Sequence, residues 1–232
     1  MATTRLEKVL AGLETARKRS GLALSERVLR HPMEMILFEN VAYLVSHEQH
    51  WAAFEALRKE TGSDPAKLLT VADSILLRIV RPPGHARMLI GKLREVALIA
   101  MQEFEGDVKA VRGMPPLLAK RRLMKFPGIG EPGAEKILLF SGALPILALD
   151  SNGLRVLLRL GYGKELKNYK ASYKSVQEAA MAEVEANIEP LVNAHLLLKE
   201  HGKTLCRRTN PLCEACPVSK LCRYYAEQAR QK

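Results

Sequence analysis

Apolar residues recur along this chain every three to four positions, the spacing that lines one face of an α-helix. The pattern is sharpest over 87–104, where Leu89, Leu93, Val96, Ala97, Ala100 and Phe104 form a single stripe. Pro82-Pro83-Gly84 stops whatever precedes it. The same spacing predicts helices over about 4–18, 33–45, 50–60, 66–78, 116–125, 132–141, 151–160, 171–186 and 190–200. No stretch alternates polar and apolar residues as a half-buried strand would, and there is no internal repeat or low-complexity segment. The expected fold class is all-α.

Composition narrows the class. The 232 residues are 47% hydrophobic, enough for one large or two small domains with a core of their own. No apolar run approaches the roughly 20 residues that span a bilayer. The start, Met1-Ala2-Thr3-Thr4-Arg5-Leu6, lacks the apolar stretch of a secretory signal. A cytoplasmic protein is expected, nucleoid-associated if prokaryotic, without a membrane partner. Thirty-six Lys and Arg against 25 Asp and Glu leave a formal charge of +11, which favours a polyanionic partner, nucleic acid first.

Three stretches carry candidate chemistry. Cys206, Cys213, Cys216 and Cys222 are spaced C-x6-C-x2-C-x5-C within 17 residues. A disulfide is an odd use for such a cluster in a reducing compartment, so metal ligation is the better reading. A cubane iron–sulfur cluster needs one thiolate per iron; Zn²⁺ also accepts four cysteines, and spacing alone leaves both open. Upstream, Lys125-Phe126-Pro127-Gly128-Ile129-Gly130 ends one expected helix and opens another. Its glycines permit a tight turn, and the N–H groups of the following helix start suit a phosphate. Lys120, Arg121, Arg122 and Lys125 could add charge to that face. Finally, Asp150 opens the helix over 151–160, where a carboxylate caps free N–H groups.

These stretches, in this order, resemble the endonuclease III (helix–hairpin–helix) superfamily of DNA glycosylases. Phe126-Pro127-Gly128-Ile129-Gly130 followed by Ala134 and Ile137–Phe140 is similar to the hairpin signature. Leu149-Asp150-Ser151-Asn152 is similar to the catalytic aspartate segment, and His201-Gly202 through Cys213-x2-Cys216-Pro217 to the cluster loop. The likeness covers roughly residues 115–223 and extends more weakly up to residue 32. It implies two helical lobes flanking a DNA-binding groove: 32–146, with six helices and the hairpin, and 1–31 plus 147–232, with the catalytic aspartate and a [4Fe–4S] cluster. It also implies DNA contacts at Gly128, Ile129, Gly130, Lys125, Arg207 and Arg208. The partner would be double-stranded DNA with a lesion or mismatch, its target nucleotide flipped out of the stack.

Within that superfamily the lyase members carry a lysine just beyond the Gly-x-Gly turn, where this chain has Pro132, which has no amine for a Schiff base. Asp150-x-Asn152-x-x-Arg155-Val156 is similar to monofunctional mismatch glycosylases. Glu39, seven residues after Pro32, matches their catalytic glutamate, which manages protons while Asp150 stabilises the sugar cation. The family's glutamine-rich segment is replaced by Tyr43-Leu44-Val45, which leaves Tyr43 and Asn152 as candidates for the wedge and base pocket. The chain ends soon after the cluster loop, and with that a pyrimidine rather than adenine is the expected target. The rivals are a bifunctional glycosylase and lyase using Lys136, and a non-catalytic DNA-binding iron–sulfur protein.

Overall fold

The computed structural model describes residues 3–21 and 28–230; residues 1–2, 22–27 and 231–232, all in the expected cluster domain, lie outside the described residues. The described chain is helical, with a single isolated bridge between Ala42 and Arg81 in place of any strand. Twelve α-helices follow in order: α1 Arg5–Arg19, α2 Pro32–Val41, α3 His47–Thr61, α4 Pro65–Thr70, α5 Asp73–Ile79, α6 Ala86–Phe104, α7 Pro116–Leu123, α8 Glu131–Phe140, α9 Ser151–Leu160, α10 Tyr169–Met181, α11 Ile188–Thr204 and α12 Arg223–Ala229. No helix among the described residues is long and apolar enough to cross a membrane.

The chain divides into two units, residues 29–144 and residues 1–28 with 145–232. In the first, α2 packs against α3 and α6. Ile36, Leu37, Phe54, Leu57, Leu93 and Val96 are shut off from water. Phe38 lies under the His50 ring, with centroids 4.1 Å apart, and meets Trp51 and Phe54 at steeper angles. In the second, α9 lies along α11, and Leu6, Val9 and Leu13 of α1 complete its core. Glu183 fastens α1 there, its carboxylate accepting from Leu6 N and the Tyr162 hydroxyl while its carbonyl accepts from Thr4.

Three expected helices end differently, each because a distant residue takes over backbone groups. The helix expected over 33–45 stops at Val41, because Tyr43 N donates to Arg81 O at 2.9 Å and Ala42 is drawn out extended. Tyr43 therefore sits on a loop. The helix expected over 66–78 breaks at Val71-Ala72 into α4 and α5, which makes seven helices in that unit instead of six. Arg94 of α6 takes the carbonyls of Leu68 and Val71 and reaches Asp73 at 2.6 Å. The helix expected over 171–186 ends at Met181, freeing Glu183 to turn to α1. The short helix α12 is not foreseen at all.

The hairpin joins α7 to α8. Gly128 turns with φ +75°, a conformation a side chain would strain, and Phe126 is buried against Phe104, ring centroids 5.8 Å apart. Lys120, expected on an outer cationic face, instead turns inward to Glu131 at 2.8 Å and Glu135 at 3.0 Å. Glu135 is 2% exposed, so this ammonium neutralises a carboxylate that water does not reach. Lys120→Met is expected to lower the unfolding free energy by on the order of 3 kcal/mol. The urea midpoint reads this loss, and adding Glu135→Leu should restore most of it. An unchanged midpoint in the single variant would show that the buried carboxylate does not depend on Lys120.

Candidate active site

Asp150 is the N-cap of α9. Its Oδ1 accepts from Asn152 N at 3.0 Å and Gly153 N at 2.8 Å, and its Oδ2 accepts from the Asn152 side-chain amide at 3.1 Å. Burial by itself would raise this carboxyl. The Gly153 N–H and the Asn152 amide, helped by His195 and Lys199, outweigh burial and hold it below the usual aspartate value. It is therefore a carboxylate at neutral pH. Tyr173 and Gln177 of α10 hold the extended segment leading into it, through Leu149 N and Leu147 O. The Tyr169 phenol is pushed up by partial burial and by the Asp150 charge.

Two of these neighbours were not anticipated as parts of the site. His195, 3% exposed, donates from Nδ1 to Ala148 O at 2.8 Å, and the half-buried Lys199 lies one turn further along α11. Their spacing of four residues on a helix, flanking the run Leu196-Leu197-Leu198, was the available signal. Asn152, considered for a base pocket, has its amide group on Asp150 and its Oδ1 accepting from Arg155 at 2.9 Å.

The other end of α9 grips the cysteine loop. Arg155 donates to Cys206 O at 3.1 Å and Gly202 O at 2.8 Å. Arg159 donates to Arg207 O at 2.7 Å, to Arg208 O at 3.1 Å and to the Cys206 sulfur at 3.3 Å, and lies over the Tyr224 ring. All four cysteines line one largely apolar cleft, shared with Val156, Leu160 and Leu205. The thiols are unbridged. Burial, reinforced by the neighbouring sulfurs, pushes the Cys216 thiol up to about 11, so a cationic centre is needed to hold it as a thiolate at neutral pH. That donor set fits a polynuclear cluster: one sulfur per iron inside an apolar wall. Among the described residues, no three His, Cys, Asp or Glu side chains close on a point for a single ion.

In the unit of residues 29–144, Glu39 stands in the last turn of α2, and Lys136 of α8 meets its Oε1 at 2.5 Å. The next residue, Asn40, is 1% exposed and was not foreseen as important. Its amide donates to Ile36 O and to Pro127 O, both at 2.9 Å, tying α2 to the hairpin turn. Gly130 caps α8 with no side-chain bond, leaving that helix start to its backbone. Ile129 is 5% exposed, and its N–H donates to Phe126 O at 3.1 Å within the turn. Lys125 is exposed and reaches Glu103 at 2.6 Å, and Arg207 and Arg208 are exposed at the cysteine loop. Tyr43 leans on His85, centroids 5.5 Å apart, while the adjoining Leu44 is 85% exposed with φ +51°.

No family model matches the chain. Endonuclease III of Rickettsia prowazekii (strain Madrid E) is 30% identical over 166 residues, which span 72% of this chain and 71% of that protein. The chain belongs to the endonuclease III family. Its fold agrees throughout: a trapped endonuclease III–DNA covalent intermediate matches with a TM-score of 0.71, covering 99% of this chain and all of that one at 21% identity. A thermostable thymine-DNA glycosylase matches with a TM-score of 0.75 over 96% of this chain and 97% of that one, at 18% identity. At such identities the likeness is one of fold. Endonuclease III membership makes the ordinary helix cap at Asp150 a catalytic candidate as well.

Capping and chemistry separate by substitution. Asparagine caps a helix about as well as aspartate, so Asp150→Asn should melt close to the parent, whereas Asp150→Ala should lose about 1 kcal/mol. Because the folded carboxyl lies below its unfolded value, its contribution is present above about pH 3.9 and fades as pH falls through the folded value. Equal melting of the Asn and Ala variants at pH 7 would show that the cap contributes nothing.

Proposed function

We propose that this chain, a base excision repair DNA glycosylase by family, hydrolyses the N-glycosidic bond of a damaged or mismatched pyrimidine and leaves the strand intact. The observation that carries the reading is Asp150: a half-sheltered carboxylate kept ionised by two N–H groups and the Asn152 amide. Glycosidic cleavage passes through an oxocarbenium-like sugar, and such a fixed negative charge stabilises it. Asn152 then orients Asp150, and Glu39 handles protons. Pro132 supports the monofunctional reading, since no amine stands beside the Gly-x-Gly turn to form a Schiff base.

Double-stranded DNA carrying the lesion is the partner. The N–H groups at the start of α8, presented through Gly128 and Gly130, suit a backbone phosphate, with Lys125, Arg207 and Arg208 adding charge. Apolar side chains that enter a base stack hold a flipped nucleotide out. Tyr43 was the candidate from sequence, and Leu44, bare and raised on a strained backbone, now joins it. The cysteine cleft would hold a [4Fe–4S] cluster through Cys206, Cys213, Cys216 and Cys222. Such a cluster supplies electron-transfer capacity and charge, while Arg155 and Arg159 hold the loop that surrounds it.

A second reading, a bifunctional lyase, has one observation in its favour: Lys199 places an amine on the helix face that meets Asp150. Borohydride decides between them. With duplexes bearing single lesions or mismatches, the expected product is an abasic site nicked only after alkali, with little trapped adduct. Efficient trapping, lost in Lys199→Ala or Lys136→Ala, would replace this reading with the lyase one. Asp150→Asn should lower single-turnover base release by at least about a hundredfold while duplex binding persists, because phosphate contacts supply most of the affinity. Freshly purified protein should carry about four irons per chain, and stoichiometric zinc without iron would overturn the cluster.

A further inference from the structure

We propose that Tyr169 is a further substrate-binding residue, a fixed aromatic platform on which the nucleotide held at Asp150 stacks its base. The inference rests on the glycosylase reading and deepens it by naming what holds the extruded base. Tyr169 opens α10 and is 51% exposed. Its ring inclines toward that of Tyr173, one turn on, with centroids 6.4 Å apart and planes at 31°. Tyr173 is 3% exposed and belongs to the core, so the outer ring of the pair is the one a ligand can reach. The register between α10 and the extended segment before Asp150 fixes where that ring lies. Gln177 donates to Leu147 O at 3.0 Å, and the Tyr173 hydroxyl accepts from Leu149 N at 3.3 Å. Four residues back along the helix thus correspond to two residues forward along the segment. The two steps match in length, about 6 Å for four helical residues and about 6.6 Å for two extended ones. One more turn back is Tyr169, and two more residues forward is Ser151, the exposed first residue of α9. Tyr169 therefore stands level with Asp150 and Ser151. The phenol registers the same nearness, pushed above the usual tyrosine value by partial burial and then by the Asp150 charge.

The loop before Tyr169 is clamped to α10, which sets the ring in place before any ligand arrives. At Gly163, with φ +65°, an added Cβ would stand 2.6 Å from Val176 N, so glycine is what lets the loop come this close. Lys164 N donates to Ser175 Oγ at 3.0 Å. The Ser172 hydroxyl accepts from Leu166 N at 2.8 Å and donates to Leu166 O at 3.1 Å. Asn168 caps the helix, its Oδ1 accepting from Lys170 N at 2.8 Å. These contacts run in order down α10 to its start, where Tyr169 stands. A tyrosine has only two side-chain torsions to fix, so a ring on a clamped loop binds at small entropic cost.

A base drawn out of the helix loses the faces of its two neighbours, and an aromatic ring replaces one of them. The base is joined directly to C1′, the atom whose positive charge Asp150 stabilises, so a ring level with Asp150 meets the base itself. Stacking touches the face of a base and leaves its hydrogen-bonding edge unread. Tyr169 thus favours an extruded planar base over an empty site, and the choice among bases falls to other groups.

Binding and single-turnover assays on the full, cluster-loaded chain test this. Of uracil, thymine and adenine opposite guanine, the base that the parent releases fastest is the probe. It is placed on a 2′-fluoroarabino sugar, which resists cleavage, and compared with the same duplex carrying a tetrahydrofuran abasic site. Tyr169→Ala should weaken binding of the base-bearing duplex by about tenfold to a hundredfold and leave the tetrahydrofuran duplex unchanged. Tyr169→Phe should bind as the parent does, and Tyr169→Leu should not. In turnover, Tyr169→Ala should raise the half-saturating enzyme concentration by the same factor while the maximal rate stays close to the parent's. Equal loss on both duplexes would give Tyr169 a structural part alone. No loss, or full binding by Tyr169→Leu, would show that no ring is used. Each of these overturns the inference and leaves the glycosylase reading standing. A parent protein that releases none of these bases would remove both.

Discussion

The close approach of α9 to α11 governs the half of the molecule that carries Asp150. A Cβ on Gly202 would stand 2.8 Å from the Asn152 side chain and 2.9 Å from its carbonyl oxygen, so glycine is what lets the two helices meet. From that contact the rest follows. Asn152 is held against Asp150 and Arg155, and Arg155 and Arg159 come within reach of the carbonyls of 202 and 206–208. A ten-residue helix, about 15 Å long, thus has a carboxylate at its start and the cysteine loop along its far end. The same interlock admits Arg5, which bonds the carbonyls of Leu160 and Leu221 and so draws the chain's first helix onto the loop's last cysteine.

The basic residues divide into two kinds. A charge of +11 invites the view that every lysine near the hairpin awaits a phosphate. Lys120 instead neutralises buried acid within the hairpin, Lys136 serves Glu39, and Arg94 interrupts a helix by claiming its carbonyls. Arg155 and Arg159 are backbone clamps. What remains for a polyanion is a smaller set on the surface, including Arg207 and Arg208. Net charge therefore describes the long-range field, while the contact surface is set by which cations have no inward assignment.

Features that depend on local sequence were legible before the structure. Cysteine spacing, the Gly-x-Gly turn and the capping carboxylate at Asp150 are each specified within a few residues, and six of the twelve helices agree with the expected bounds to within a turn at both ends. Features made by distant partners were not. The break at Val71-Ala72 has no proline or glycine to announce it, because Arg94 makes it from 23 residues away. The end of α2 depends on Arg81, and the weight carried by Asn40 depends on a carbonyl 87 residues later. Lys199 ends an apolar run, where a lysine usually reaches for water. Its relation to Asp150 exists only once α11 has folded back along α9.

Asn40 also constrains how the hairpin can move. Its amide is bonded to Pro127 O, inside the turn, and its backbone is the residue after Glu39. Consecutive helical residues are fixed about 100° apart around their axis. The bond to Pro127 O thus ties the turn to the residue beside Glu39. The turn and the end of α2 therefore share one buried anchor, so a substitution at Asn40 reaches the Gly-x-Gly turn and the position of Glu39 together.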